Sequence, residues 1–421
     1  MRQVFTSSSL RVLAIHNHYQ QPGGEDQAFA AETRLLEAHG DEVIRYTTHN
    51  DRVGSLHPLD LARKTLWNEE TFLELRNIIR DRRPDVMHAH NTFPLISPAA
   101  YAAAREARIP VVQTLHNFRL LCANGLLFRG GRVCEDCVGR TVPWPAVVHR
   151  CYRNSLPASA VVAAMLLFHR ARGTWRHDVD LFVALTDFAR NKLIEGGLPA
   201  AKITVKPNFV EWGVTAQSGG LDAERDCMLY VGRLSEEKGI RTLIAAWNAS
   251  DDLLPLRIVG DGPLKEEVLR AAATNTRIRW LGYLPALEVQ QLLRGARALV
   301  LTSECYEMFP LVVLEAFSMA VPVIASRSGA VESIVEDGKT GLLFNAASSS
   351  DLGDKARWAT AHRDAMSGMG ENARAVYLER YTGAVNYGQL RAVYVRAAAL
   401  RDEYASDRDS NQMVRGHASD A

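Results

Sequence analysis

"CMLYVGRLSEEKGI", residues Cys227–Ile240, decides how the chain is divided. Five apolar residues end on Gly232, and a charged segment follows at once. The pattern reads as a buried strand that turns tightly into a helix. It also restarts a series. Before it come strand candidates "LRVLAI" from Leu10, "EVIRYTT" from Glu42, "PDVMHAH" from Pro84, "PVVQTLH" from Pro110, "DLFVALT" from Asp180 and "ITVKP" from Ile203. After it come "LRIVGDG" from Leu256, "IRWLGYL" from Ile278, "ALVLTS" from Ala298 and "VPVIAS" from Val321. Helix-patterned segments separate them, as parallel sheets covered on both faces require. Between the two series, the polar, glycine-containing "GVTAQSGGLDAERD" (Gly213–Asp226) reads as a linker.

A chain of 421 residues exceeds one ordinary core. The expectation is α/β, with two tandem Rossmann-like doubly wound domains facing across a cleft. One covers residues 10–210 with a Cys- and Arg-rich insertion over about 118–176, and the other covers 226–370. Helices over 371–401 are placed to cross back to the first domain. Residues 402–421 are polar and expected to be disordered.

At 47% apolar and 23% charged, the composition is that of a globular protein. The net charge of +1 conceals a local excess. From Arg105 to Arg176 eleven arginines stand against three acids, Glu106, Glu135 and Asp136. That stretch suits an anionic partner such as a membrane surface or a phosphate-bearing acceptor; the plain alternative is a solvated arginine face. Nucleic acid is not expected, because interleaved aromatics and a helix-turn-helix context are missing. "MRQVFTSSSL" carries no long apolar core, and no run approaches the roughly 18–20 apolar residues of a membrane span. "ASAVVAAMLLF" (Ala158–Phe168) reads as a buried helix. The expected location is cytoplasmic, with peripheral contact at the inner face of a membrane.

In "YEMFPLVVLE" (Tyr306–Glu315), two acids flank an apolar run. Pro310 suits the first turn of a helix and resists its interior. A helix therefore starts near Pro310, with Glu307 in the loop before it and Glu315 more than one turn inside. Unpaired backbone N–H groups near Phe309, Pro310 and Leu311 attract anions. A diphosphate fits there, with a carboxylate on each side for the hydroxyls of a sugar and a ribose. Arg233 and Lys238, brought close by their turn, can neutralise the same diphosphate. The plain alternative for them is ion pairing with Glu236 and Glu237. "VGDGP" (Val259–Pro263) supplies a strand-end turn through Gly260 and Gly262, suited to a base or ribose.

Taken together, "VGRLSEEKG", "GDGP", the spacing of Glu307 to Glu315 and "SGAVESIVEDGKTGLLF" (Ser328–Phe344) resemble retaining glycosyltransferases of family 4, with the GT-B architecture. The resemblance spans nearly the whole ordered chain. It implies transfer of a sugar, hexosyltransferase-like, from a nucleotide-diphosphate-sugar donor to a glycan or lipid-linked acceptor in cell-surface polysaccharide or lipid-linked glycan synthesis. Arg233 and Lys238 would bind the diphosphate, Glu315 the ribose and Glu307 the sugar hydroxyls. No Asp-x-Asp metal motif is read in the chain, so the transfer is expected to need no metal cofactor. Met308 stands where the family often has glycine. Runner-up readings are a GT-B nucleotide-sugar epimerase or hydrolase, and a non-catalytic nucleotide-sugar-binding scaffold at a membrane.

In the first half, "HNHYQQPGGEDQ" (His16–Gln27) places Gly23 and Gly24 after the first strand, where backbone can approach a ligand closely. The resemblance puts the donor near this loop, and it puts His116, in "TLHNFRLLC", near the reacting sugar carbon. His88 and His90 read as structural. Cys122, Cys134, Cys137 and Cys151 surround a "CEDC" core. They are read as a structural zinc site, as free buried thiols or as iron–sulfur ligands.

Overall fold

A computed structural model of the chain describes residues 9–21, 23–211 and 225–417. The linker reading, Gly213–Asp226, falls almost wholly outside them. Six strands form the first sheet: β1 (Arg11–His18), β2 (Glu42–His49), β3 (Val86–Asn91), β4 (Val111–Thr114), β7 (Leu181–Ala184) and β8 (Ile203–Val205). Two short strands, β5 (Phe128–Arg129) and β6 (Arg132–Val133), make a separate antiparallel hairpin. The second sheet holds β9 (Cys227–Val231), β10 (Leu256–Val259), β11 (Ile278–Trp280), β12 (Ala296–Leu301), β13 (Val323–Arg327) and β14 (Gly341–Asn345). Every pairing in the two large sheets is parallel.

The orders are β2-β1-β3-β4-β7-β8 and β11-β10-β9-β12-β13-β14. These are two doubly wound α/β domains of Rossmann type. In each, the strand order reverses beside the first strand, between β1 and β3 and between β9 and β12. Ligands in such sheets bind beyond the carboxyl ends of the strands at that reversal. The loops after β1, β9 and β12 are therefore the places to look.

Central strands such as β3 and β12 are buried along their whole length, because helices cover both faces. The strand β14 was not among the sequence-derived candidates. Its "GLLF" run is short and lies directly after the glycine-containing turn "DGKTG", so periodicity does not separate it from loop.

The last helix, Gly383–His417, returns to the first domain. Leu390, Val393, Tyr394, Ala397 and Ala398 recur at helical spacing and pack on Leu10, Val12, Val86, Val112 and Leu181 of the first sheet. The helix runs to His417, through residues for which the sequence reading expects a disordered tail. Once its first turns are anchored, propagation costs little, and between Gly388 and Gly416 no proline or glycine interrupts it. Ala158–Phe168 lies inside the helix Leu156–Arg172. Val162, Met165 and Leu166 are buried, whereas Leu167 and Phe168 are exposed, so the expected burial holds for one face only.

Candidate active site

The loop after β9 is locked to its neighbours mainly through its backbone. Leu234 N–H donates to Asp261 O at 2.9 Å, and Leu264 N–H donates to Leu234 O at 2.8 Å. A β-carbon on Gly260, at φ 134°, would lie 1.9 Å from Gly232 O, so only glycine permits this approach. On the other side Glu304 N–H donates to Glu237 O at 2.9 Å, and Thr302 Oγ1 donates to Lys238 O at 2.8 Å. The loops carrying Arg233 and Lys238, Gly260 and Gly262, and Glu307 thus form one rigid rim at the strand reversal.

Lys238 Nζ lies 2.5 Å from Glu307 Oε1, which Ser303 Oγ also meets at 2.5 Å. Burial draws the Lys238 ammonium down in pKa, but Glu307 outweighs it and holds the group above the ordinary lysine value. Burial likewise pushes Glu307 up, and Lys238 and Ser303 hold it below the ordinary carboxylate range. Both are charged at neutral pH. Lys238 does not pair with Glu236 or Glu237: Glu236 meets Arg241 at 3.5 Å, and Glu237 accepts from Ser235 at 2.6 Å. Arg233 is exposed, and among the described residues its guanidinium has no ion-pair partner.

The helix after the second loop begins at Leu311, with Pro310 as its N-cap and no side chain capping it. Its first N–H groups are left for another acceptor. Phe309 and Leu311 are buried. Glu315 lies half-buried one turn on, with no side-chain partner among the described residues, and burial raises its carboxyl to about 7. From the facing domain, a β-carbon on Gly24 would sit 3.6 Å from Leu311 Cδ1. The glycine loop therefore closes directly on the start of this helix.

His116 lies in the first domain beside a cavity of about 40 Å³ whose lining includes Glu25, His90, Asn117 and Arg119. His90 Nδ1 is 2.9 Å from its Nε2. Burial, then His90, keeps the His116 pKa well below the ordinary value, so the ring is neutral. His88 and His90 join a buried ion-pair network, and His90 also lines the cavity. They meet Glu32 Oε1 at 3.0 and 3.1 Å, and Lys206 meets Glu32 Oε2 at 2.9 Å. Asn386 and Tyr394 of the last helix complete this network, with Lys206 Nζ 2.9 Å from Asn386 Oδ1 and Tyr394 Oη 2.9 Å from His88 Nδ1.

Two features escaped the sequence reading. Glu25, next to the glycine pair, accepts from Tyr19 Oη at 2.9 Å and Asn117 Nδ2 at 3.2 Å, and burial raises its carboxyl to about 7. Its position immediately after Gly23-Gly24 was the available signal. An Asp-x-Asp sequence, Asp178-Val179-Asp180, lies far from the rim and is structural. Asp178 faces Arg105 at 3.4 Å, and Asp180 meets Arg401 at 2.8 Å and accepts from Val111 N–H at 2.8 Å.

The four clustered cysteines carry no disulfide and line one small cavity. Among the described residues no helix is long and apolar enough to cross a membrane.

Comparisons with known proteins agree with this architecture. The family model for glycosyltransferase family 4 matches residues 22–211, and that for glycosyl transferases group 1 matches 215–376. The sulfoquinovosyl transferase SQD2 of Arabidopsis thaliana is 24% identical over 412 residues, covering 88% of this chain and 73% of that protein. Glycogen synthase of Mycobacterium tuberculosis is 28% identical over 282 residues, covering 64% of this chain and 59% of its own length. Among solved structures, Anabaena Alr3699/HepE in complex with UDP and glucose superposes with a TM-score of 0.63 at 19% identity, covering 90% of this chain and 98% of that one. The chain belongs to the family 4-type glycosyltransferases of GT-B fold.

Proposed function

We propose that the protein transfers a hexose with retention from a nucleotide-diphosphate-sugar donor to a glycan or lipid-linked acceptor, without a metal cofactor. The observation that carries this reading is the rim at the strand reversal. There a charged Lys238–Glu307 pair, an unpaired Arg233 and an uncapped helix start stand together. The UDP and glucose held by the Anabaena neighbour support a donor of this class.

In this reading the diphosphate rests on the N–H groups after Pro310. Arg233 and Lys238 face the oxygens where charge develops as the bond from the sugar carbon to phosphate breaks. Glu307 orients sugar hydroxyls while holding Lys238 in place. Glu315, unpaired and near its titration point at neutral pH, accepts from the ribose hydroxyls. The acceptor oxygen bonds to the sugar carbon on the face the phosphate leaves. Its proton passes to the departing phosphate oxygen, so no carboxylate base is required. Neutral His116 offers a hydrogen bond, not a proton, to the sugar or acceptor.

The acceptor side carries exposed Val142, Trp144, Val148 and Leu156 among the insertion's arginines, and Arg140 lies over the Trp144 ring at 5.6 Å. An apolar and cationic surface of this kind fits a lipid-linked acceptor at the inner, cytoplasmic face of an anionic membrane. Thermal-shift screening against nucleotide-sugars tests the donor, since a bound donor raises the midpoint with occupancy. NMR of the product's anomeric configuration tests retention. An inverted product, or release of free sugar as the sole reaction in the presence of acceptor extracts, overturns the reading. Sedimentation with anionic vesicles tests the membrane contact.

A further inference from the structure

The insertion between β4 and the helix Leu156–Arg172 packs Ala123, Cys137 and Ala146 against Val162, Met165 and Leu166 of that helix, and has little regular secondary structure of its own. It contains a hairpin of two-residue strands and a five-residue helix, Trp144–Val148. Elements this short do not supply a core of their own. What they share is sulfur. Cys122 closes a turn, its N–H donating to Phe118 O at 2.9 Å. Cys134 follows the hairpin, its N–H donating to Leu127 O at 2.8 Å, and Cys137 lies in the next turn. Cys151 follows the short helix, its N–H donating to Ala146 O at 2.9 Å.

All four cysteines line a cavity of about 10 Å³ with Phe128, Pro145 and Ala146. That is room for one small ion. Protein interiors are close-packed, and thiols that serve only as small apolar groups fill space instead of ringing a void. Two guanidinium groups attend the cluster. Arg129 pairs with Asp136 at 2.7 Å on the cavity wall, and Arg170 donates to Leu120 O at 2.8 Å. A divalent ion with four thiolates carries a net charge of about −2, which neighbouring cations offset.

We propose that Cys122, Cys134, Cys137 and Cys151 bind one structural zinc ion as a four-thiolate site that braces the insertion against the cleft. Each thiol gives up its proton on binding. Cys122, whose Sγ now meets Asn124 Oδ1 at 2.9 Å, turns off that oxygen to close the coordination. Among the described residues, the groups of three whose ligand atoms lie within 4.8 Å of one another are His16–His18–Asp26 and Glu32–His88–His90; the cysteine sulfurs stand further apart and draw in around the ion on binding. The second already holds a cation, the Lys206 ammonium. In the first, Asp26 is committed to the helix start through Gly23 N–H at 2.9 Å. The cysteine site also reaches the rim. Glu135, between Cys134 and Cys137, pairs with Lys192 at 3.0 Å. Lys192 lies over the Tyr306 ring at 5.8 Å, next to Glu307. A β-carbon on Gly131 of the hairpin would sit 3.7 Å from Glu236 Oε1.

The test is metal analysis of the full-length protein purified with a reductant. One zinc per chain is expected, and none in C134S/C137S. The C227S/C305S control keeps it. Growth with Co²⁺ should give the intense visible bands of tetrahedral cobalt thiolate in the wild type and not in C134S/C137S. Because the double variant can misfold, wild-type alkylation followed by mass spectrometry supplies a second readout. Four cysteines should be protected until a chelator is added, and Cys134 and Cys137 then react. Metal-free wild type that gives no cobalt bands, zinc retained in C134S/C137S, alkylation indifferent to chelator, or four cysteines found oxidised would each overturn the site.

Discussion

The two domains each place a lysine against a glutamate beside the strand reversal, and they use the pair in opposite ways. In the first domain, Lys206 and Glu32 are sealed: Lys206 is 1% exposed, and both have further partners in His88, His90 and Asn386. In the second, Lys238 and Glu307 have side chains 28% and 11% exposed, on the loops that also carry an exposed Arg233, without an ion-pair partner among the described residues, and an uncapped helix. What differs is the cover. The returning helix, through Asn386 and Tyr394, closes the first pair, whereas the glycine loop and the cysteine insertion approach the rim of the second without sealing it. The same chemistry is structural where protein completes it and available to a ligand where protein does not.

The largest expected effect breaks the sealed pair. K206A leaves Glu32 charged, buried and short of its cation, which costs about 3–5 kcal/mol of stability. Denaturant midpoints of wild type and variant measure it, and a midpoint within error of wild type would remove the contrast between the domains. At the open pair the loss should fall on rate. R233A or K238A should lower turnover by about 10²–10³, or roughly 2.7–4 kcal/mol in the barrier, while the unfolding midpoint moves far less than in K206A. Wild-type turnover in either variant refutes the assignment of the rim.

A pH series sharpens the comparison. Burial holds the Glu315 carboxyl at about 7, so the free protein carries a proton there below that pH. Ribose hydroxyls donate to the ionised form, so donor binding expels the proton. Affinity should therefore rise with pH up to about 7, by up to about tenfold per unit, and level off above it. Titration calorimetry of wild type and E315Q checks this; the variant should bind more weakly and with a flatter profile. Smaller still, Y394F removes one hydrogen bond from the sealed network and should cost about 0.5–1.5 kcal/mol. Smallest is G24A. Its new methyl meets Leu311 at ordinary contact distance, so the melting temperature should hold within about a degree while donor affinity changes.

Legibility in the sequence followed the range of the interaction. "CMLYVGR" and its counterparts announced strands because an apolar run and its closing glycine are local. Pro310 announced the helix start, and with it the loop position of Glu307 and the inner position of Glu315, because a fixed φ acts on its own residue. The pairing of Lys238 with Glu307 was not legible, since 69 residues separate them. Nor was the network of His88 with Tyr394, across 306 residues. Glu25 was passed over because its environment is assembled by Tyr19 and by Asn117, 92 positions away.

By itself the sequence determined that there are two doubly wound sheets and which loops leave their central strands, since side-chain periodicity and turn chemistry are set by residues close along the chain. Only the tertiary structure decided which charges are spent on the fold and which are left for a substrate. That depends on what lies across from each group once the final helix has returned to the first sheet. Burial and partnering are properties of the closed chain, and residues far apart in sequence supply both.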